Sequence, residues 1–266
     1  MVTSRGAVNY IDSYFLDTST QIERRWADED TCQQIRDDLS TRKLYCSIYV
    51  ERQYRCRVLN ALINLHTFVT SSEDIQEAEK RLEKCKREIF LDDIVYNVGR
   101  RLFKKYKRKK PLLKYLRRLI EVDWNNLFYD AISKPLCDMT NCSRGADSPK
   151  YERGHYLTIP AKCAHDCKIS DFCKLKQEDL QNLAAVDTAV LTRVSDPKGT
   201  MKEIQAEAEN VLCGRSPHYN SCVKLSDAII SIEARDSYPG ITIHTMDYDF
   251  ELLKKMLNTS IRFLKV

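Results

Sequence analysis

The chain has 266 residues, 43% of them hydrophobic and 30% charged, with 7 glycines, 11 cysteines and a formal charge of +5. That apolar content supplies a sizeable core, in one large domain or two small ones, and the scarcity of glycine favours a helix-rich protein with few tight loops. No run approaches the ~20 apolar residues of a membrane span, and Met1–Tyr10 lacks the apolar region of a signal peptide, so a soluble, cytoplasmic protein with no membrane partner is expected.

In chain order, Tyr14-Phe-Leu16 is a short apolar strand ending at Asp17, and Thr20 to Leu39 reads as helical with an interruption at Ala27–Asp30. Lys43–Ser47 is a second candidate strand. From Ile48 to about Phe68 the apolar residues Val50, Tyr54, Val58, Leu62 and Leu65 recur at helical spacing. Ser71-Ser-Glu-Asp starts a long charged helix expected to reach about Lys110, and Pro111 fits the first turn of the next, Leu112–Phe128. Residues 134–173 break the regularity with prolines, glycines and five cysteines. Helices resume at Gln177–Thr192 and Lys202–Leu212, and 214–220 is a loop. Ser226–Ala234 is helical, Tyr238-Pro-Gly240 a turn, and Ile241–Thr245 a short β-branched strand; Asp247 and Asp249 then open the last helix. The strands cluster towards the two ends, which predicts an α/β domain built from residues 1–66 and 217–266. Residues 67–216 would form a mostly α-helical insertion.

Asp17 follows one strand, Asp227 opens a helix, and Asp247 and Asp249 follow another strand. Carboxylates at the carboxyl ends of strands occupy the place where open α/β sheets bind ligands. Several of them in one crevice repel one another and persist there by holding a hard divalent cation such as Mg²⁺ or Mn²⁺. An aspartate at a strand–helix junction also serves as an N-cap, which is the plainer role for each taken singly.

Phe15-Leu-Asp17-Thr-Ser19, Ser226-Asp227-Ala-Ile-Ile and Thr245-Met-Asp247-Tyr-Asp249-Phe250, in this order, resemble the opening strand and closing motifs of PIN-domain nucleases. The resemblance spans roughly residues 9–66 and 217–260. It implies a parallel sheet flanked by helices and a metal-dependent endoribonuclease. Asp17, Asp227 and Asp247 would bind Mg²⁺ or Mn²⁺, Thr245 would orient an acid or the water, and Asp249 would be an accessory carboxylate. One departure matters: where the family carries a glutamate after the second strand, this chain has Gln53, with Glu51 two positions earlier as a substitute if the register slips. Glu23 on the first helix is a further candidate, though a surface glutamate is the simpler reading. A scaffold that binds nucleic acid without cutting it is the rival expectation.

Residues 100–118 hold eleven cations and no acid, leaving −6 on the rest of the chain. Arg100, Arg101, Lys104, Lys105, Lys107, Arg108, Lys109, Lys110, Lys114, Arg117 and Arg118 together suit the phosphates of RNA or another single-stranded nucleic acid. An acidic lipid or protein surface is the competing partner, and Phe103 and Tyr106 fit a core better than a stacking platform.

Eleven cysteines, an odd number in a reducing compartment, are expected to be thiols or metal ligands. Cys137-x4-Cys142 and Cys163-x3-Cys167-x5-Cys173, with His155 and His165 nearby, suit a structural Zn²⁺ or a [4Fe–4S] cluster, the latter as the centre of a metal or redox sensor. Cys213 and Cys222 form a further candidate pair. A homodimer or an inhibitory partner protein remains open.

Overall fold

A computed structural model describes residues 13–88, 93–160, 163, 168–186 and 199–264. Four short strands form one parallel sheet in the order β2-β1-β5-β6: β1 is Ser13–Leu16, β2 Lys43–Tyr45, β5 Thr242–Thr245 and β6 Ser260–Phe263. Helices on the faces explain why β1 is buried at every position rather than alternating, with Phe15 and Leu16 fully enclosed. Beside β1, Phe15 pairs with Tyr45 on one side and with Ile243 on the other. The free edge of β2 is met by residues 132–137, where Ser133 N–H donates to the Leu44 carbonyl at 2.8 Å and Ile48 N–H to the Cys137 carbonyl at 2.8 Å. A small antiparallel hairpin, β3 (Tyr151–Glu152) and β4 (His155–Tyr156), stands apart from this sheet.

The helices begin where the sequence supplies caps. α1 (Thr18–Trp26) is capped by Asp17, α2 (Glu29–Leu39) by Asp28, and α3 (Ile48–Ser71) by Ser47, each side chain accepting a backbone N–H of the first turn. The expected charged helix is two, α4 (Ile75–Glu88) and α5 (Asp93–Lys105), and the chain turns at 106–108 before α6 (Lys109–Arg118). Pro111 lies in the first turn of α6 rather than ending α5, which matches its lack of an N–H donor. α6 runs through a π turn, Leu119–Asp123, into α7 (Trp124–Tyr129).

Then come α8 (Ile169–Leu175), α9 (Gln177–Ala184), α10 (Thr200–Leu212), α11 (Tyr219–Lys224), α12 (Ser226–Ser237) and α13 (Asp249–Leu257). α9 ends at Ala184 with Ala185 as its C-cap, short of the expected Thr192, and residues 187–192 lie outside the described residues. α3 is the spine of the molecule. Its first turns pack on α1, and further along it meets α5, α6 and α7. One apolar cluster runs from the sheet through Tyr49, Leu59 and Leu62 to Phe103, Leu116 and Phe128. Each fully buried side chain of this kind contributes roughly 1.5–3 kcal/mol. No described helix is long and apolar enough to cross a membrane.

Candidate active site

β1 has β2 on one side and β5 on the other, so the order of strands reverses between β1 and β5. All four strands are parallel, and their carboxyl ends share one edge of the sheet. The crevice outside β1 and β5 is therefore the topological switch point where such sheets take ligands. Asp17 is the residue after β1, and Asp247 lies two residues beyond β5. α12 brings Asp227 to the same crevice from its first turn. A cavity of about 450 Å³ is lined by Asp17, Asp227 and Asp247, with Phe250 from α13 and one flank of α3.

Asp17 is 2% exposed and held from three directions. Its Oδ1 accepts the Thr20 N–H at 2.7 Å, and its Oδ2 accepts the hydroxyls of Ser19 at 2.7 Å and Thr245 at 2.8 Å. Those hydroxyls are themselves fixed from β5: Ser19 Oγ accepts the Met246 N–H at 3.2 Å, and Thr245 Oγ1 accepts the Asp247 N–H at 2.9 Å. Burial pushes the Asp17 carboxyl above its ordinary range, and the donors around it act in the opposite direction. Thr20 also donates to the His244 carbonyl at 3.0 Å, and the His244 ring bridges Thr20 to Asp38 at 2.9 Å. The expected orienting role of Thr245 thus takes a definite form: its hydroxyl orients Asp17.

Asp227, Asp247 and Asp249 each offer a carboxylate oxygen within 4.8 Å of the others. Among the described residues they are the group of three or more His, Cys, Asp or Glu that converges in this way. Asp249, sequence-read as accessory, belongs to this trio, whereas Asp17 faces it as a separately anchored acid. Crowding has a measurable sign. The Asp227 carboxyl is pushed up to about 7, first by burial and then by the charges of Asp247, Asp17 and Asp249. A cluster that holds one of its acids near neutrality is short of positive charge.

Glu51 does not join the acids. It is buried elsewhere, its carboxylate 3.3 Å from Arg52, and burial raises its pKa. Gln53 lines the cavity instead, its Oε1 accepting the Thr18 hydroxyl at 2.5 Å. Positions two apart on a helix point about 200° apart, so only one of the pair can face the acids. Glu23 is also absent from the lining.

Apart from Gln53, sequence reasoning missed the opposite wall. Gln53, Arg57, Asn60 and Asn64 line the cavity from α3 at spacings of four, three and four, and Arg144 joins them from the irregular segment after α7. The spacing of the α3 row was visible, but a polar helical row reads as a solvated face until its neighbours are known.

The basic stretch divides in space. Arg101 donates to the Arg25 carbonyl at 3.0 Å, and Lys109 to the carbonyls of Thr70 and Ser72, so these two serve the packing. Arg118 pairs with Asp123 at 2.9 Å, Arg100 with Glu83 at 3.8 Å, and Arg117 donates to the Tyr151 hydroxyl at 2.7 Å. Lys104, Lys105, Lys107, Arg108, Lys110 and Lys114 are exposed. Lys109 sits at the end of α3, about 17 residues or ~25 Å of helix from Gln53, so the basic face lies well away from the acids.

The cysteines part company as well. Cys137 lies against β2, its thiol 3.9 Å from the Cys46 carbonyl, and burial holds it at about 12. Cys142, its expected partner, instead contacts Cys163, while Cys173 is buried on α8 and Cys167 and His165 lie outside the described residues. Cys222 is buried on α11 and hydrogen-bonds Arg144, while Cys213 is exposed. No family model, curated protein or solved structure matches the chain.

Proposed function

We propose that the protein is a PIN-like, metal-dependent endoribonuclease that hydrolyses RNA phosphodiester bonds in the cavity of Asp17, Asp227, Asp247 and Asp249. The observation that carries this reading is the convergence of carboxylates from two strand ends and a helix start at the switch point of a parallel sheet. The donor set suits a hard divalent cation: every donor is a carboxylate oxygen, and Asp227, raised to about 7 first by burial and then by its acidic neighbours, gains from a cation beside it. In place of the expected set of Asp17, Asp227 and Asp247, the converging trio Asp227, Asp247 and Asp249 would hold Mg²⁺ or Mn²⁺, with Asp17 on the facing side. When bound, such an ion supplies activation of water and stabilisation of charge on the phosphodiester.

The chain's own groups do the positioning. Ser19, Thr20 and Thr245 lock the Asp17 carboxylate in one orientation, so that its acceptor oxygens are preorganised towards the cavity. Thr245 couples that orientation to the Asp247 backbone, which keeps the two acids in register. The exposed lysines and arginines of 104–114 supply a distant electrostatic surface for the rest of the RNA.

A second reading rests on Gln53. A neutral carboxamide stands on the wall where the PIN pattern expects a carboxylate, and this fits a scaffold that binds nucleic acid without cutting it. Cleavage of a labelled single-stranded RNA in Mn²⁺ by wild type and Asp17→Asn separates the two. Wild-type cutting that falls at least ~100-fold in the variant supports the hydrolase, a loss on the scale of other single-group catalytic deletions. RNA binding with cutting no faster than the variant's supports the scaffold.

A further inference from the structure

Within the cavity proposed above as the nuclease site, the acids account for one wall only. The other wall carries two cations that nothing in the acidic motifs anticipates. Arg57 projects from α3 and is exposed, with no hydrogen bond or ion pair among the described residues. Arg144 comes from the segment after α7 and is 7% exposed, yet it lines the same cavity. We propose that Arg57 and Arg144 form a two-point phosphate clamp that seats a single-stranded RNA backbone against the carboxylates.

Arg144 is placed with care for a residue in irregular structure. Its Nη2 donates to the Cys222 thiol at 3.5 Å, and its guanidinium lies 5.8 Å from the Tyr49 ring centre. The segment that carries it is strapped to α3. Asn60 donates to the Ile159 carbonyl at 3.0 Å and accepts the Ile159 N–H at 2.8 Å, and Arg55 donates to the Asp147 carbonyl at 2.8 Å. Next to Arg144, Gly145 packs so closely on Cys56 that a methyl group there would lie 2.4 Å from the sulfur. Arg144 meets the cavity in a fixed place, and its planar fork suits two oxygens of a phosphate that enters there.

The charge of the cavity points the same way. With Asp249, which lies within 4.8 Å of Asp227 and Asp247, four carboxylates and two guanidiniums give the site a formal charge of −2, and one divalent cation brings it to neutral. A polyanion therefore meets less repulsion in the metal-loaded site. The remaining lining is mostly hydroxyl and carboxamide, with Phe250 the sole aromatic ring among the described lining residues. Such a wall holds backbone rather than stacking bases, so binding is expected to be tolerant of sequence.

The clamp rests on the nuclease reading for its place but is tested by binding alone. Fluorescence anisotropy of a labelled oligouridylate is measured in Mg²⁺ on an Asp17→Asn background, with and without Arg57→Ala, Arg57→Lys or Arg144→Lys. The expected result is roughly tenfold weaker binding for Arg57→Ala and a salt slope shallower by about 0.7, the loss of one phosphate contact on a single strand. Arg57→Lys restores most of it, and Arg144→Lys weakens binding without changing the melting temperature. Unchanged affinity and slope in both Arg57→Ala and Arg144→Lys overturn the clamp. A wild type that binds through these arginines but does not cut sinks the nuclease reading and leaves the clamp standing. Cleavage that is indifferent to both arginines does the reverse.

Discussion

Asp227→Asn should make the metal-free protein more stable, and more so at pH 8 than at pH 5. An ordinary aspartate ionises near 3.8, and Asp227 in the folded chain near 7. At about 1.36 kcal/mol per pH unit that gap amounts to about 4 kcal/mol of destabilisation once both states are ionised. The sign follows from proton counts. Between pH 4 and 7 the folded chain binds more protons at this site than the unfolded chain, so stability falls as pH rises through the folded pKa and is lowest above it. Two effects shrink the figure: Asp227 is open to cavity water on one side, and its charge in the first turn of α12 gains ~0.3–1 kcal/mol from the helix dipole. A net gain of about 2 kcal/mol at pH 8 and under about 1 kcal/mol at pH 5 is therefore expected for the variant. Urea unfolding in chelator, followed by the fluorescence of Trp26 and Trp124, measures it. Adding Mg²⁺ should reverse the ranking, because a ligand at 100 times its Kd stabilises wild type by about 2.7 kcal/mol. A variant that is less stable at pH 8 without metal, or equally changed at both pH values, refutes the reasoning that burial and the neighbouring acids disfavour charge on Asp227.

Gln53→Glu restores a carboxylate that can still accept the Thr18 hydroxyl, and it should tighten Mn²⁺ binding about tenfold or more by calorimetry. Glu51→Gln should leave that affinity unchanged, and any loss there would mean that Glu51 reaches the site after all. Gly145→Ala should lower stability by about 2–4 kcal/mol in urea melts, since the residue has φ +59° and its new methyl meets Cys56. An unchanged unfolding midpoint would show that this segment yields more readily than its contacts suggest.

Much of the sheet could be read from the sequence because a buried parallel strand shows as a short apolar or β-branched run, as in Tyr14-Phe-Leu16 and around Ile243. The start of α3 at Ile48 and the interruption between α1 and α2 were equally visible. β6 escaped notice because Ser-Ile-Arg-Phe alternates too briefly to stand out, and its place beside β5 is a tertiary fact. Half of the cavity was legible in its acids. The other half was not, since Arg57 and Asn64 look like solvent-facing residues and Arg144 sits in a stretch whose cysteines draw the eye. Spacing misled there too. Cys137 and Cys142 are close in sequence, yet one turns to the sheet edge and the other to Cys163.

The pairing of β1 with β5 has a consequence in time. Asp17 and Asp247 are 230 residues apart, and the hydroxyl that orients Asp17 belongs to Thr245. At ~5–20 residues per second a ribosome needs on the order of 10–50 s to pass from one to the other. For most of that interval β1 can find β2 but lacks its other neighbour, and three of the four acids do not yet exist. A chain that cuts RNA would be inert while still attached to the messenger that encodes it. The hydrolytic centre would be assembled late, by the strand that gives β1 its second neighbour.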